Sequence, residues 1–550
     1  MNSWITHSAL VFLLVLQPGA APAESLELPP VAEGPFTPDW DSLMAYEVPE
    51  WFRDAKFGIW AHWGAQCEPE RGDWYARHMY AQGHWQYEDH LEHYGHPSVS
   101  GFKDIIHAWQ AESFDPGTLV RFYKENGARY FMALANHHDN FDNFDSRYQP
   151  WNSVAVGPKK DLIAGWAKAA RDNGLRFAVS VHASHAWTWY ELAQASDRDG
   201  PLAGVPYDGK LTTADGAGQW WEGLDPQDLY EQDHQPSPGF EVPESLFTRW
   251  TWGDGASRPD AAYMLKFFQR TRQLWDDYHP DQIYFDDTVL PFHGITDEVG
   301  LKLAAHFYNS RLDENGKTQA VMNGKLLDES QRRAMVYDIE RGKAQEILPQ
   351  PWQTDTCLGS WHYDREIFNE HRYKSAGSVI RMLADIVSKN GNLMLSVPLQ
   401  GNGQPDEDEL RIVREIGAWL KVNGEAIYAT RPWKIYGEGP STSVSEKGHF
   451  DGQADVSSVP LTPEDIRFTQ SKDGATLYAI VLEIPDNGRV TITTLATDSL
   501  YWPGAIGSVR LVEGGELPFA RDQAGLQLQL PSSFAGQTAF AVAIQSTDNY

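Results

Sequence analysis

From about residue 50 the chain alternates short unbroken apolar runs with stretches whose apolar residues recur at helical spacing. Lys56–Gly64 (KFGIWAHWG), Arg129–Ala135 (RYFMALA) and Leu175–His182 read as strands, and the middle one has the continuous hydrophobicity of a strand buried on both faces. Asp161–Asn173 reads as a helix, with Leu162, Trp166, Ala169 and Ala170 on one face and Gly174 as its stop. A second helix, Ala261–Tyr278, leads into the strand Gln282–Asp286. There follow a helix around Val299–Leu312, strands at Gln319–Met322 and Met335–Ile339, a helix at Ser375–Val387, a strand at Asn392–Val397 and a helix at Glu407–Val422.

Repeated β-then-α units predict a (β/α)8-like, TIM-type barrel. The count reaches about seven strands, so a complete eight-stranded barrel is not demonstrated by this reading. A doubly wound sheet is the rival, weakened because no Gly-rich dinucleotide loop follows the first strand. Residues 187–258 form an excursion rich in Trp, Tyr, Asp, Gly and Pro, read as an ordered wall beside a site. After Trp433 the texture changes to short strands at Thr476–Glu483, Val490–Thr494, Ser508–Val512, Leu526–Leu530 and Ala539–Ile544. These predict a C-terminal β-sandwich. The expected division is a catalytic barrel over 24–433 and a sandwich over 434–550.

The 22 Trp, 23 Tyr and 24 Phe can simply be core, but they also suit clefts that stack on sugar rings. A formal charge of −31 repels phosphate backbones and anionic membranes, which sets nucleic acid aside as a partner. Ala9–Leu16 followed by Ala21-Pro22-Ala23 reads as a signal peptide cleaved after Ala23, although no Lys or Arg precedes Arg53. That run is too short to span a bilayer, which needs roughly 20 apolar residues. The expectation is export to the periplasm or the medium, with no membrane attachment after cleavage. Cys67 and Cys357, the two cysteines, supply no disulfide framework, and neither a bond between them nor a metal or other cofactor is expected.

Catalytic side chains of such barrels project from the C-terminal strand ends. His62, the His137-His138 pair, His182, Asp286-Asp287 and Glu340-Arg341 all stand at such ends. Alternation of side chains forbids Asp286 and Asp287 from both facing inward. A capping pair is the plain alternative for the aspartates, as a surface salt bridge is for Glu340. Together Asp286 and Glu340 offer two carboxylates at one mouth, as acetal cleavage requires. Adjacent histidines are poorly spaced to chelate one ion, and no H-E-x-x-H pattern occurs. Imidazoles bonded to sugar hydroxyls fit better.

At these residues the chain resembles glycoside hydrolase family 29, the α-L-fucosidases. The likeness runs through Trp51-Phe52, Asp54–Ile59 with His62-Trp63-Gly64, Asn136–Asp139 with Phe144-Asp145-Ser146, Tyr284-Phe285-Asp286, Ser388–Asn392 and Asn423–Tyr428. The resemblance implies retaining, exo-acting hydrolysis of terminal α-L-fucosyl residues on oligosaccharides or glycoconjugates. It implies Asp286 as nucleophile and His62, His137, His138 and Trp74 as sugar-binding residues. Lys325 stands where some members carry a binding Arg. The acid/base has no fixed motif; Glu340 is the choice and Glu346 the runner-up. His182 falls where some members have a tyrosine, and with Trp352 it completes the expected binding set. Alternatives are a related exo-glycosidase such as an α-L-galactosidase, a fucose-binding protein without catalysis, and a metal-dependent hydrolase. Linkage preference and oligomeric state are not written in the sequence.

Overall fold

The computed structural model describes residues 26–242, 252–253, 255–443, 460–512, 514–531 and 538–547. The signal-peptide expectation, and part of the 187–258 excursion, lie outside them. Eight parallel strands close in sequence order: β1 Phe57–Ala61, β2 Tyr130–Asn136, β3 Arg176–Val181, β4 Gln282–Phe285, β5 Val321–Gly324, β6 Val336–Asp338, β7 Trp352–Cys357 and β8 Gly391–Ser396. The ring closes where Gly58 of β1 sits beside Met394 of β8. The barrel is therefore complete, and the strand missing from the sequence reading is β7.

The reason β7 escaped is its composition. Its sequence WQTDTC is fully buried yet polar. Gln353 accepts from Tyr130 Oη (3.1 Å) and Gln282 Nε2 (3.0 Å), and donates to Asp338 (2.7 Å). Tyr284 Oη donates to Asp355 Oδ2 at 3.0 Å. Strands β2, β4, β6 and β7 thus pair polar side chains with one another inside the barrel, which lowers the cost of burying them singly. Apolar periodicity has no power over such a layer.

The helices named here are α1 Trp85–His93, α2 Pro116–Glu125, α3 Leu162–Asp172, α4 Ala261–Tyr278, α5 Glu298–Asn309, α6 Ala376–Ser388 and α7 Glu407–Asn423. The starts of α3, α4 and α7 are set by side chains that accept the free first-turn amides. Asp161 accepts from Ala164 N, Asp260 from Tyr263 N, and Asp406 and Glu409 form a reciprocal capping box.

Two antiparallel sheets follow the barrel. One has the order β13-β16-β11-β10-β9 and the other β12-β15-β14, with β9 Arg431–Glu438, β10 Ile466–Gln470, β11 Thr476–Val481, β12 Arg489–Ile492, β13 Ile506–Leu511, β14 Phe519–Asp522, β15 Gly525–Gln529 and β16 Phe540–Ser546. Their own apolar cluster includes Phe468, Val490, Leu526 and Val542. The first strand begins at Arg431, slightly before the change of texture after Trp433. The domain grips the barrel from the side: Trp419 of α7 donates to Ala539 O (2.8 Å), and Arg467 of β10 reaches Asp385 of α6 (2.6 Å).

Candidate active site

Six of the eight barrel strands deliver a side chain at the same end. His62 follows β1, His137 and His138 follow β2, His182 follows β3, Asp286 follows β4, Lys325 follows β5, and Glu340 stands two residues past β6. The Lys325 ammonium is the hub of the group. It donates to Asp286 Oδ1 at 2.6 Å and to Glu340 Oε2, so the nearest oxygens of the two carboxylates lie within about 5 Å of each other. Both carboxylates keep a slit of exposure, 17% for Asp286 and 12% for Glu340, while Lys325 is fully covered.

One ammonium cannot serve two carboxylates equally. Burial alone would raise Asp286, but Lys325, the His138 hydrogen bond and His182 together hold it well below the ordinary carboxylate range. Burial raises Glu340 to about 7; Lys325 opposes this, while Asp355 and Asp286 reinforce it. At neutral pH the pair is therefore split into one ionised carboxylate and one poised near half protonation.

Beneath them lies a second carboxyl pair. Asp338 and Asp355 act on each other's charge, and one oxygen of each is taken, by Gln353 and Tyr284 respectively. The Oδ1 atom of each is buried without a donor. Burial, then Asp338, push Asp355 well above the usual carboxylate range, and burial raises Asp338 to about 6.

Hydrogen bonds fix the histidine rings. His138 Nδ1 lies 2.7 Å from the His182 carbonyl and so turns Nε2 toward Asp286 Oδ2 at 3.0 Å. His182 Nδ1 faces Asn136 O at 3.1 Å, which leaves Nε2 as an acceptor turned into the site, 3.4 Å from His62 Nε2 and 3.8 Å from Asp286. Gln66 accepts from Ala76 N and donates to His137 Nδ1 at 2.7 Å, so His137 presents Nε2–H. Burial holds His62, His137 and His182 well below ordinary imidazole basicity. Neutral rings offering both a donor and an acceptor match hydroxyl groups, which do both.

These three histidines also bring one ring nitrogen each within 4.8 Å of one another, close enough to invite a metal. To serve as a ligand through Nε2, His137 would have to surrender its bond from Gln66, whose amide is pinned at both ends. The donor set therefore suits sugar oxygens better than an ion.

Three expected residues sit elsewhere or act differently. Trp352 is the first residue of β7, at the floor of the barrel opposite the mouth, and its indole donates to Lys389 O at 2.8 Å. It cannot touch a substrate at the mouth. Glu346 is exposed on the loop after β6, away from the ammonium that joins Asp286 to Glu340. Lys325 meets both carboxylates before it could meet a sugar. Asp287 turns from the mouth, accepting from Ser184 Oγ (2.7 Å) and Thr288 N (2.8 Å).

Trp74 packs edge-on against Trp189, whose ring covers His138 at 4.7 Å. Sequence reasoning gave Trp361 no role and missed His362; their rings stand 5.7 and 4.6 Å from His62. They lie on the loop after β7. A signal existed: had β7 been recognised, its following loop would have been read as part of the mouth.

The chain matches two family models, "Alpha-L-fucosidase" over residues 26–425 and "Alpha-L-fucosidase C-terminal domain" over 460–545. Human tissue alpha-L-fucosidase is 24% identical over 95% of this chain and 92% of its own length. The bovine tissue enzyme is 26% identical over 82% and 84% respectively. Among solved structures, Thermotoga maritima alpha-fucosidase in complex with fucose superposes with a TM-score of 0.65 at 23% identity, covering 92% of this chain and all of that one. An alpha-L-fucosidase isoenzyme from Paenibacillus thiaminolyticus gives 0.60 at 19% identity, over 91% and 98%.

Proposed function

The chain belongs to the alpha-L-fucosidase family of glycoside hydrolases, and from that premise we propose that it removes terminal α-L-fucosyl residues from glycans by a retaining, exo-acting mechanism. The observation that carries this reading is the ammonium shared by Asp286 and Glu340. A carboxyl separation of roughly 5–5.5 Å suits direct attack, whereas roughly 6.5–9.5 Å leaves room for a water and inverts the centre.

Asp286, ionised, attacks the anomeric carbon. The bond to the leaving oxygen breaks as Glu340 passes that oxygen its proton. The products are a fucosyl ester on Asp286, a Glu340 carboxylate and the free alcohol. Glu340 then takes a proton from water, the hydroxide oxygen attacks the same carbon, and Asp286 leaves as a carboxylate. Before the first step the negative charge sits on Asp286, and in the ester it sits on Glu340. Lys325 touches both, so its ammonium balances the charge at each stage without moving.

The enclosed histidines support exo action, since a walled pocket accepts one terminal sugar. Neutral imidazoles bonded to hydroxyls strengthen as positive charge grows on the ring, which favours the transition state over the bound substrate. The N-terminal apolar run supports export, and we place the enzyme in the periplasm or the medium on that ground.

The test is to follow hydrolysis of an aryl α-L-fucoside by NMR. Release of the α-anomer before mutarotation is the expected outcome. First release of the β-anomer defeats the retaining mechanism, and absence of turnover with α-L-fucosides defeats the activity.

A further inference from the structure

A line of rings leads outward from the catalytic histidines. Trp189, fully buried, covers His138; Trp74 stands edge-on to Trp189 at 5.3 Å; His78 lies 5.7 Å from Trp74. His84 is 4.1 Å from His78, and Trp85 is 5.8 Å beyond His84. Exposure grows along this line and reaches 49% at Trp85, the first residue of α1.

Half-exposed indoles are unremarkable when they stand alone. This one is held in place. The Arg71 guanidinium lies over its ring at 5.1 Å and is itself fixed by Asp89 (3.0 Å) and Glu366 (3.4 Å). Gln86, the next residue, donates to the carbonyls of Arg71 (2.8 Å) and Asp73 (3.0 Å) and accepts from His78 (2.8 Å). The first turn of α1 is thereby tied to the segment that carries Trp74.

That segment is in turn tied to the pocket. Gly72 N donates to Tyr363 O (2.9 Å), His362 N donates to Asp73 Oδ1 (2.7 Å), and Arg71 bridges to Asp364. Trp85 and His362 thus stand on one hydrogen-bonded rim, built from the loops that follow β1 and β7.

We propose that Trp85, flanked by His84, is a stacking platform for the leaving-group portion of an oligosaccharide, a subsite beyond the bond that is cleaved. Resting on the fucosidase reading, it adds the class of aglycone: a glycan long enough to lie across the rim. The C–H face of a pyranose carries slight positive charge and packs on the electron-rich face of an indole. A ring fixed in advance by Arg71 loses little freedom on contact, so the stacking is realised as binding. An aryl fucoside ends before the platform begins.

The measurement is the ratio of kcat/KM on a fucosylated oligosaccharide of four or more sugars to kcat/KM on an aryl α-L-fucoside, taken with the full-length protein. Trp85→Ala is expected to lower this ratio about tenfold, mostly through KM of the oligosaccharide, and Trp85→Phe to restore most of it. Glu88→Gln, on the exposed part of the same helix, keeps the ratio of the unaltered chain. A ratio unchanged in Trp85→Ala overturns the proposal, as does an equal loss in Glu88→Gln. Failure of the unaltered chain to turn over the aryl fucoside sinks the hydrolase reading and the platform together, which separates the two failures.

Discussion

Asp385 on α6 meets two cations, Lys389 at 2.7 Å and Arg467 of β10 at 2.6 Å, whereas the Lys325 ammonium meets two carboxylates. Both clusters are buried and both are built from ordinary acids and bases. In the first, burial of Asp385 is outweighed by Lys389 and Arg467, and the carboxyl is held far below its usual range. In the second, the cation is outnumbered, so one carboxyl is driven down and the other is left near 7. Proportion separates a clamp from a proton donor: an excess of cations locks an acid, and a deficit leaves one acid poised.

The comparison breaks most severely at Asp286. Asp286→Asn keeps the shape of the side chain but removes the attacking charge. The expected kcat on an aryl α-L-fucoside falls by about four orders of magnitude. A loss of only severalfold, in protein whose circular dichroism is unaltered, removes Asp286 from the mechanism.

How much of this was legible beforehand depends on which half of the barrel is considered. β1 to β3 are apolar, and their strand ends exposed His62, His137, His138 and His182 to inspection. The same rule picked out Asp286 and Glu340, which the structure brings together on Lys325. β7 was invisible because Gln353 and Asp355 make their sense only with partners on β2, β4 and β6, which no local pattern records. With β7 went Asp355, Trp361 and His362. Trp352 was misplaced for the same cause: without its strand, a tryptophan at the start of β7 could not be told from one on the mouth. The platform at Trp85 was unread because its meaning lies in contacts between loops.

A milder perturbation sharpens the comparison at its centre. Lys325→Met removes the outnumbered cation and leaves Asp286 facing His138 and His182. The ammonium lowers both carboxyls, so its loss raises both. Asp286 must be ionised, and the acidic limb of the pH–rate profile therefore moves upward. Glu340 must be protonated for the first step, so the alkaline limb, set near pH 7 in the unaltered chain, moves upward as well. The expected result is a bell displaced to higher pH with kcat/KM about 100-fold lower at its maximum. A profile that keeps its position while losing height would show that Lys325 contributes no charge to the pair.

The smallest effect on catalysis is expected from the other cluster. Asp385→Asn removes the one carboxylate that two buried cations share, leaving Lys389 and Arg467 facing each other across α6 and β10. Breaking a buried pair by removing one partner typically costs about 3–5 kcal/mol, because an uncompensated charge is left behind. The amide oxygen still accepts a hydrogen bond, which sets the expectation toward the lower end of that range. Asp385 stands on the helix between β7 and β8, remote from the ring of strand ends that holds Lys325. The predicted signature is a melting transition lowered by several degrees, with kcat and the pH profile unchanged. Should the profile move with the stability, the two clusters are coupled through β8 and α6. The separation of clamp from proton donor would then fail as an account of this fold.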